Sequence, residues 1–199
     1  MKLFPNNRPL AGYTLVEVLL VLSVILILGG ITFGTTAGVQ SARMKSIAKA
    51  EIALITESLF RFHTIYGDYP ITEGIENNEI TLSKALLGWK IFQGNPAQMV
   101  DLKNVPPEGV TSFIELSKIL HEGDLPFSDK IIPSNVRFID PWGNAYVYAY
   151  KESKEWDNFS FVLYSKGPDG ADIKLDADGI LSTKFKNLEK NIDNIYLED

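Results

Sequence analysis

Apolar and polar positions change rhythm along the chain. Val18 to Ala42 is a run of 25 uncharged residues, opening with the nearly pure aliphatic stretch Val18–Leu28. As a helix it reaches about 37 Å at ~1.5 Å per residue, against a hydrocarbon core of about 30 Å. From Met44 the pattern turns periodic. Met44, Ile47, Ala48, Ile52, Ile55, Leu59, Phe62 and Tyr66 recur at spacings of three and four, which puts them on one helical face. Arg43, Lys45, Lys49, Glu57 and Arg61 lie mostly off it. Gly67 and Pro70 give a stop. One helix is predicted from about 14 to 66, its first half (13–42) lipid-compatible and its second half (43–66) packed on a soluble domain.

Near the C-terminus the period becomes two. Tyr146, Tyr148 and Tyr150 alternate with Val147 and Ala149, and Phe159 to Tyr164 alternates as well, which predicts two strands joined by a polar loop, 151–158. Residues 67–140 hold most of the prolines and read as a long connection with two short helices. Thr81–Leu87 is stopped by Gly88. Ser112-Phe113-Ile114-Glu115 has a capping-box pattern that predicts a helix to about His121. Trp89, Phe92 and Met99 are expected in the core. The fold class is α+β, a long N-terminal helix packed on a small C-terminal antiparallel sheet, with one soluble domain (67–199) and no internal repeat.

Charge sharpens this division. The 199 residues carry a net charge of −6 and a mean hydropathy of +0.01. That average joins two unlike parts, because residues 44–199 hold 16 Lys and Arg against 24 Asp and Glu. The acidic balance argues against nucleic acid as a partner. Lys2 and Arg8 precede the apolar run, which places the N-terminus on the cytoplasmic side and the acidic remainder outside. Three readings of the run stand on these grounds. It is a secretory signal peptide with its apolar region at 18–28 and small residues Thr35 and Ala37 after it, a plain anchor, or a segment that uses Glu17. The apolar segment runs on into more helix, which counts against the first. An ionisable group at its edge is by default functional and wants a partner.

Gly12-Tyr13-Thr14-Leu15-Val16-Glu17, followed by the aliphatic run, resembles the class III signal of type IV pilins and type II secretion pseudopilins. The resemblance implies cleavage by a prepilin peptidase between Gly12 and Tyr13, N-methylation of Tyr13, and removal of a leader, residues 1–12. Tyr13 stands where the family usually has Phe. Glu17 matches the family's glutamate, whose natural partner in a stack of subunits is the α-amino group of Tyr13 on a neighbour, since a buried pair is tolerable and a lone charge is not. Gly29, Gly30, Gly34 and Gly38 interrupt the helix at about 1 kcal/mol each against Ala. They serve close packing of small residues, or a segment that melts when subunits leave the bilayer.

Tyr66-Gly67-Asp68-Tyr69-Pro70 resembles the Tyr-Pro turn that ends the pseudopilin helix. Asp140-Pro141-Trp142-Gly143-Asn144, before the first strand, resembles the turn signature of the major pseudopilin, where its role is structural. Tyr164-Ser165-Lys166-Gly167-Pro168-Asp169-Gly170 resembles the family's loop after the second strand, which binds one calcium ion and closes against a late Asp. That analogy selects Ser165, Asp169 and Asp193, the last in Asp193-Asn194-Ile195. Asp176 and Asp178 lie in an insertion and are further candidates. Calcium takes six to eight oxygens. Asp176-Ala177-Asp178-Gly179 is not an EF-hand, because Lys174 and Phe185 fall at its first and last ligand positions. The bland alternative is a solvated acidic loop. The absence of Cys removes the disulfide that commonly closes type IV pilins and favours a pseudopilin with a metal clamp.

No nucleophile elbow, phosphate loop or His-metal motif appears, so an enzyme is not expected. His63 and His121 have no ligand-spaced companion and read as ordinary residues. The resemblance implies a single-pass inner-membrane protein with a periplasmic domain. It polymerises into a pseudopilus that helps drive protein export, with a platform protein, minor pseudopilins and the peptidase as partners. The alternative is a type IV pilin forming a surface fibre for adhesion, motility or DNA uptake.

Overall fold

The computed structural model describes residues 13–72, 77–126 and 130–197, with the backbone alone for 30–37. It is α+β, with three two-stranded antiparallel sheets. By contacts the chain divides into two compact units, Met1–Ala42 and Arg43–Asp199. Helix α1 spans Leu15–Tyr66.

In the first unit, the described side chains from Leu15 to Leu28 are exposed. A Cβ added at Gly29 or Gly38 would meet nothing within 4 Å. Among the described residues, no helix is long and apolar enough to cross a membrane. The 18–42 run on which the sequence expectation rests includes 30–37, whose side chains lie outside the described residues, as do residues 1–12.

The second unit carries the core. Ala48, Ile52, Ile55, Leu59 and Phe62 of α1 are fully buried, four and three residues apart. Ile47 departs from the expected face and is exposed. The helix stops as predicted at Gly67, whose N–H reaches the His63 carbonyl at 2.7 Å. α2 (Asn78–Leu86) follows and ends before Gly88, close to expectation. β5 (Val147–Ala149) pairs with β6 (Val162–Tyr164), Tyr148 opposite Leu163. The second strand is shorter than its alternation predicted, and Phe159, expected within it, is 100% exposed.

The middle of the chain corrects the sequence reading. It holds a hairpin of β1 (Lys90–Gln93) with β2 (Gln98–Asp101) and a short ladder of β3 (His121–Glu122) with β4 (Arg137–Phe138). The helix expected over 112–121 is a single 3₁₀ turn, Leu116–Lys118. The Ser112 hydroxyl donates to the Ile114 carbonyl at 2.7 Å. The Phe113 N–H is spent on the Leu86 carbonyl at 2.8 Å. Glu115 faces forward, to Ser117 at 2.7 Å and Lys118 at 2.7 Å, so the reciprocal capping bonds never form. Trp89 is buried, and Phe92 and Met99 pack against the core. Two short helical pieces near the C-terminus, α3 (Thr183–Lys186) and a 3₁₀ turn at Glu189–Asn191, complete the unit.

Three tyrosines tie β5 to α1 and its exit. The hydroxyls of Tyr146, Tyr148 and Tyr150 donate to Glu51 Oε2 (2.6 Å), the Pro70 carbonyl (2.8 Å) and Asp68 Oδ1 (2.6 Å). The two-residue strand period that puts all three on one face makes this ladder possible.

Candidate functional site

Gly12 lies outside the described residues. Tyr13 precedes α1 and is 88% exposed. Glu17 sits in the first helical turn and closes a capping box with Thr14. Its Oε2 accepts from the Thr14 N–H (2.8 Å) and hydroxyl (2.9 Å), and its own N–H donates to Thr14 Oγ1 at 3.3 Å. Two donors that a helix start leaves orphaned are thereby satisfied. Sequence reasoning assigned Glu17 an intermolecular partner and missed this local one, although Thr-x-x-Glu is its signature.

The second cluster starts from Asp140, which is fully buried. Its Oδ1 accepts from the N–H groups of Trp142 (3.0 Å) and Asn144 (2.8 Å), which sets the turn over Pro141 and Gly143. Its Oδ2 accepts from the Ser165 hydroxyl at 2.6 Å. A buried carboxylate with three donors is paid for by those bonds. Trp142 packs on the edge of the core.

Beyond β6, Ser165 and Ile195 exchange both backbone bonds, at 3.1 and 2.9 Å, which draws the C-terminal segment alongside the 165–170 loop. Asp169 and Asp193 meet there, the Asp169 N–H lying 3.3 Å from Asp193 Oδ2. Gly167 has φ +68°, and a Cβ on it would fall 2.3 Å from the Asp193 carbonyl oxygen, so only glycine fits. Asp193 Oδ1 is buried without a hydrogen-bond partner among the described residues. Asp169 thus meets Asp193 through its backbone, while its own Oδ1 accepts the Ala171 N–H at 2.8 Å; the orphaned Asp193 oxygen is the atom that fits a hard cation with oxygen ligands.

The other three expected residues do not join these two carboxylates by their side chains. The Ser165 hydroxyl is engaged by Asp140 and by the Gly167 N–H at 3.0 Å. Asp176 and Asp178 form a turn against the 153–158 loop: Asp178 takes the Ile180 N–H (3.0 Å) on its side chain and the Asp157 N–H (2.9 Å) on its carbonyl. Asp172 is also occupied, by Lys166 at 3.0 Å and the Tyr164 hydroxyl at 3.0 Å. Burial, reinforced by Asp172, holds that phenol far above its ordinary pKa. Among the described residues, no three or more His, Cys, Asp or Glu side chains gather as a metal-binding group. A calcium ion held by Asp169 and Asp193 needs backbone oxygens for its remaining ligands.

A cleft of about 730 Å³ is lined by Arg137, Lys166, Lys174, Glu152 and Asp172 among others. Its cations are engaged in ion pairs, Arg137 with Glu122, Lys166 with Asp172 and Lys174 with Glu152.

Compared with known proteins, the chain matches no family model, no curated protein and no solved structure.

Proposed function

We propose that this chain is a structural subunit of a type II secretion pseudopilus, anchored by its N-terminal helix in the inner membrane with the acidic second unit in the periplasm. The observation that carries the reading is the start of α1. A capped helix opens directly after Tyr13, and its described side chains through Leu28 are apolar and exposed, interrupted by Glu17 and Ser23. Apolar surface this continuous calls for a cover. Lipid supplies it before assembly, and the helices of neighbouring copies supply it in a filament. The order Gly12-Tyr13 before the helix supports processing by a prepilin peptidase, with N-methylation of Tyr13. Calcium is a structural ion in this reading, held by Asp169 and Asp193.

In a stack of subunits Glu17 pairs with the amino terminus of a neighbouring Tyr13. Two substitutions separate that role from capping. Glu17→Ala removes the charge and the side-chain half of the capping box, leaving the bond from its backbone N–H to the Thr14 hydroxyl. Glu17→Gln keeps a capping-competent side chain and removes the charge. Both variants are expected to be processed, read as the mobility shift on loss of the leader, and both are expected to yield no sheared filament. Wild-type amounts of filament from Glu17→Gln would overturn the charge pairing.

A further inference from the structure

The Asp140–Asn144 turn and the 165–170 loop are separated by the whole of β5, its loop and β6, yet three contacts join them. Asp140 holds the Ser165 hydroxyl at 2.6 Å, and that hydroxyl in turn accepts the Gly167 N–H at 3.0 Å. The Asn144 side-chain amide donates to the Gly167 carbonyl at 3.0 Å. Gly170 has φ +66° and lies so close that a Cβ on it would fall 2.6 Å from Asn144 Oδ1. Both backbone groups of Gly167 are thus fixed from the turn, and Gly167 is the residue that abuts Asp193. Ser165 is itself fully buried and paired with Ile195, two residues past Asp193.

We infer that Asp140, Asn144 and Ser165 are positioning residues. They fix the backbone of the 165–170 loop so that Asp169 and Asp193 face one divalent cation, and none of the three contributes a side-chain ligand. The inference rests on the calcium reading above and assigns Ser165 and Asn144 a part in it that their distance from the two carboxylates conceals. A frame that holds ligands in register before the ion arrives lowers the ordering cost of binding, and outer partners of this kind set metal affinity.

The test uses the full chain in detergent micelles, titrated calorimetrically with calcium chloride, with thermal melting followed by circular dichroism in chelator. The wild type is expected to bind one calcium ion, and Asp193→Asn to bind none. Asn144→Ala and Ser165→Ala are expected to bind about 10- to 100-fold more weakly, at a temperature where their calcium-free melting curves show them folded. Ser165→Thr, which keeps the hydroxyl, is expected to recover most of the affinity. A residue that only supports the fold would lower the calcium-free midpoint and leave the affinity unchanged. Wild-type affinity in Asn144→Ala, alongside loss in Asp193→Asn, overturns the frame and leaves the calcium reading standing. No binding by the wild type overturns that reading, and the frame with it. Should Ser165→Ala fail to fold, Asn144→Ala, whose side chain is only half-buried, decides alone.

Discussion

Glu51 lies on the apolar face of α1, between Ala48 and Ile55, and is 7% exposed. Its carboxylate accepts the Tyr146 hydroxyl at 2.6 Å and the Leu120 N–H at 3.4 Å. Burial raises its pKa, the two hydrogen bonds oppose the rise, and nearby Asp140 adds to it. A raised folded-state pKa means that the native state holds the proton more tightly than the unfolded chain. Its contribution to stability is therefore full below the ordinary glutamate pKa and is lost as pH rises through the raised value. Glu51→Gln keeps an acceptor for Tyr146 and removes the titration. The variant is expected to gain stability relative to wild type as pH rises from about 4 to 8, measured by urea unfolding. Parallel stability curves would show that Glu51 does not titrate in this range. Asp68 titrates the opposite way. Burial would raise its pKa, but the bonds from Lys151 and Tyr150 outweigh that and lower it. Both proteins share this contribution, so it cancels in the comparison.

The same scale shows what a single sequence displays and what it hides. Glu51 was not singled out from the sequence, because the phenol that accounts for its burial lies 95 residues away. Two Thr/Ser-x-x-Glu patterns occur, at 14 and at 112. The first caps a helix and the second does not, because Glu115 turns forward to Ser117 and Lys118. Local spacing cannot decide between two local partners of similar worth. Ser165 was singled out as a calcium ligand, but its hydroxyl faces Asp140, 25 positions earlier, rather than the carboxylates.

At the scale of elements, the strongest periodicity was the most legible. The face of α1 from Ala48 to Phe62 and the strand around Tyr148 follow from spacing alone, since burial repeats at the helical and strand periods. The β1–β2 hairpin was missed because its residues are all half-exposed or exposed and alternate weakly. At the end of the helical face, Phe62 is fully buried among the rings of Tyr66 (4.6 Å between centroids), Phe113 (5.2 Å) and Phe92 (6.1 Å). Helix α1 itself, strand β1 and the segment around Phe113 therefore meet at one side chain. Phe62→Ala is expected to cost about 3–5 kcal/mol in chemical denaturation, because the surrounding rings cannot collapse fully into the space. Glu57→Ala, which breaks the exposed pair with Arg61, is expected to change stability by less than about 0.5 kcal/mol. A Phe62→Ala loss as small as that of Glu57→Ala would show that the cluster does not hold the helix.

For the whole molecule, the boundary between compact units falls at Ala42 and Arg43, where the uncharged run gives way to charge. Both core clusters, one centred on Phe62, Phe138 and Tyr148 and the other on Val162, Tyr164 and Phe185, lie after that boundary. A fragment of residues 43–199 is therefore expected to unfold in one cooperative transition on its own, in buffer without detergent. Its thermal midpoint should fall within a few degrees of the full chain's, and a broad, non-cooperative melt would show that the first unit is needed for folding. Composition alone hid this division, since a mean hydropathy of +0.01 describes neither unit.

The tyrosine ladder also has a mechanical consequence. Tyr148 in β5 and Tyr146 and Tyr150 flanking it span about 14 Å of extended chain at ~3.4 Å per residue. Their hydroxyls donate hydrogen bonds to three different points, Glu51 within α1 and Pro70 and Asp68 at its exit. Tension arriving through the second half of α1 reaches all three bonds together. Bonds loaded this way share the force and yield in one event, whereas a zipper surrenders them singly. A domain gripped at such a seam passes a pull on to its sheet as a rigid coupling does, without slack.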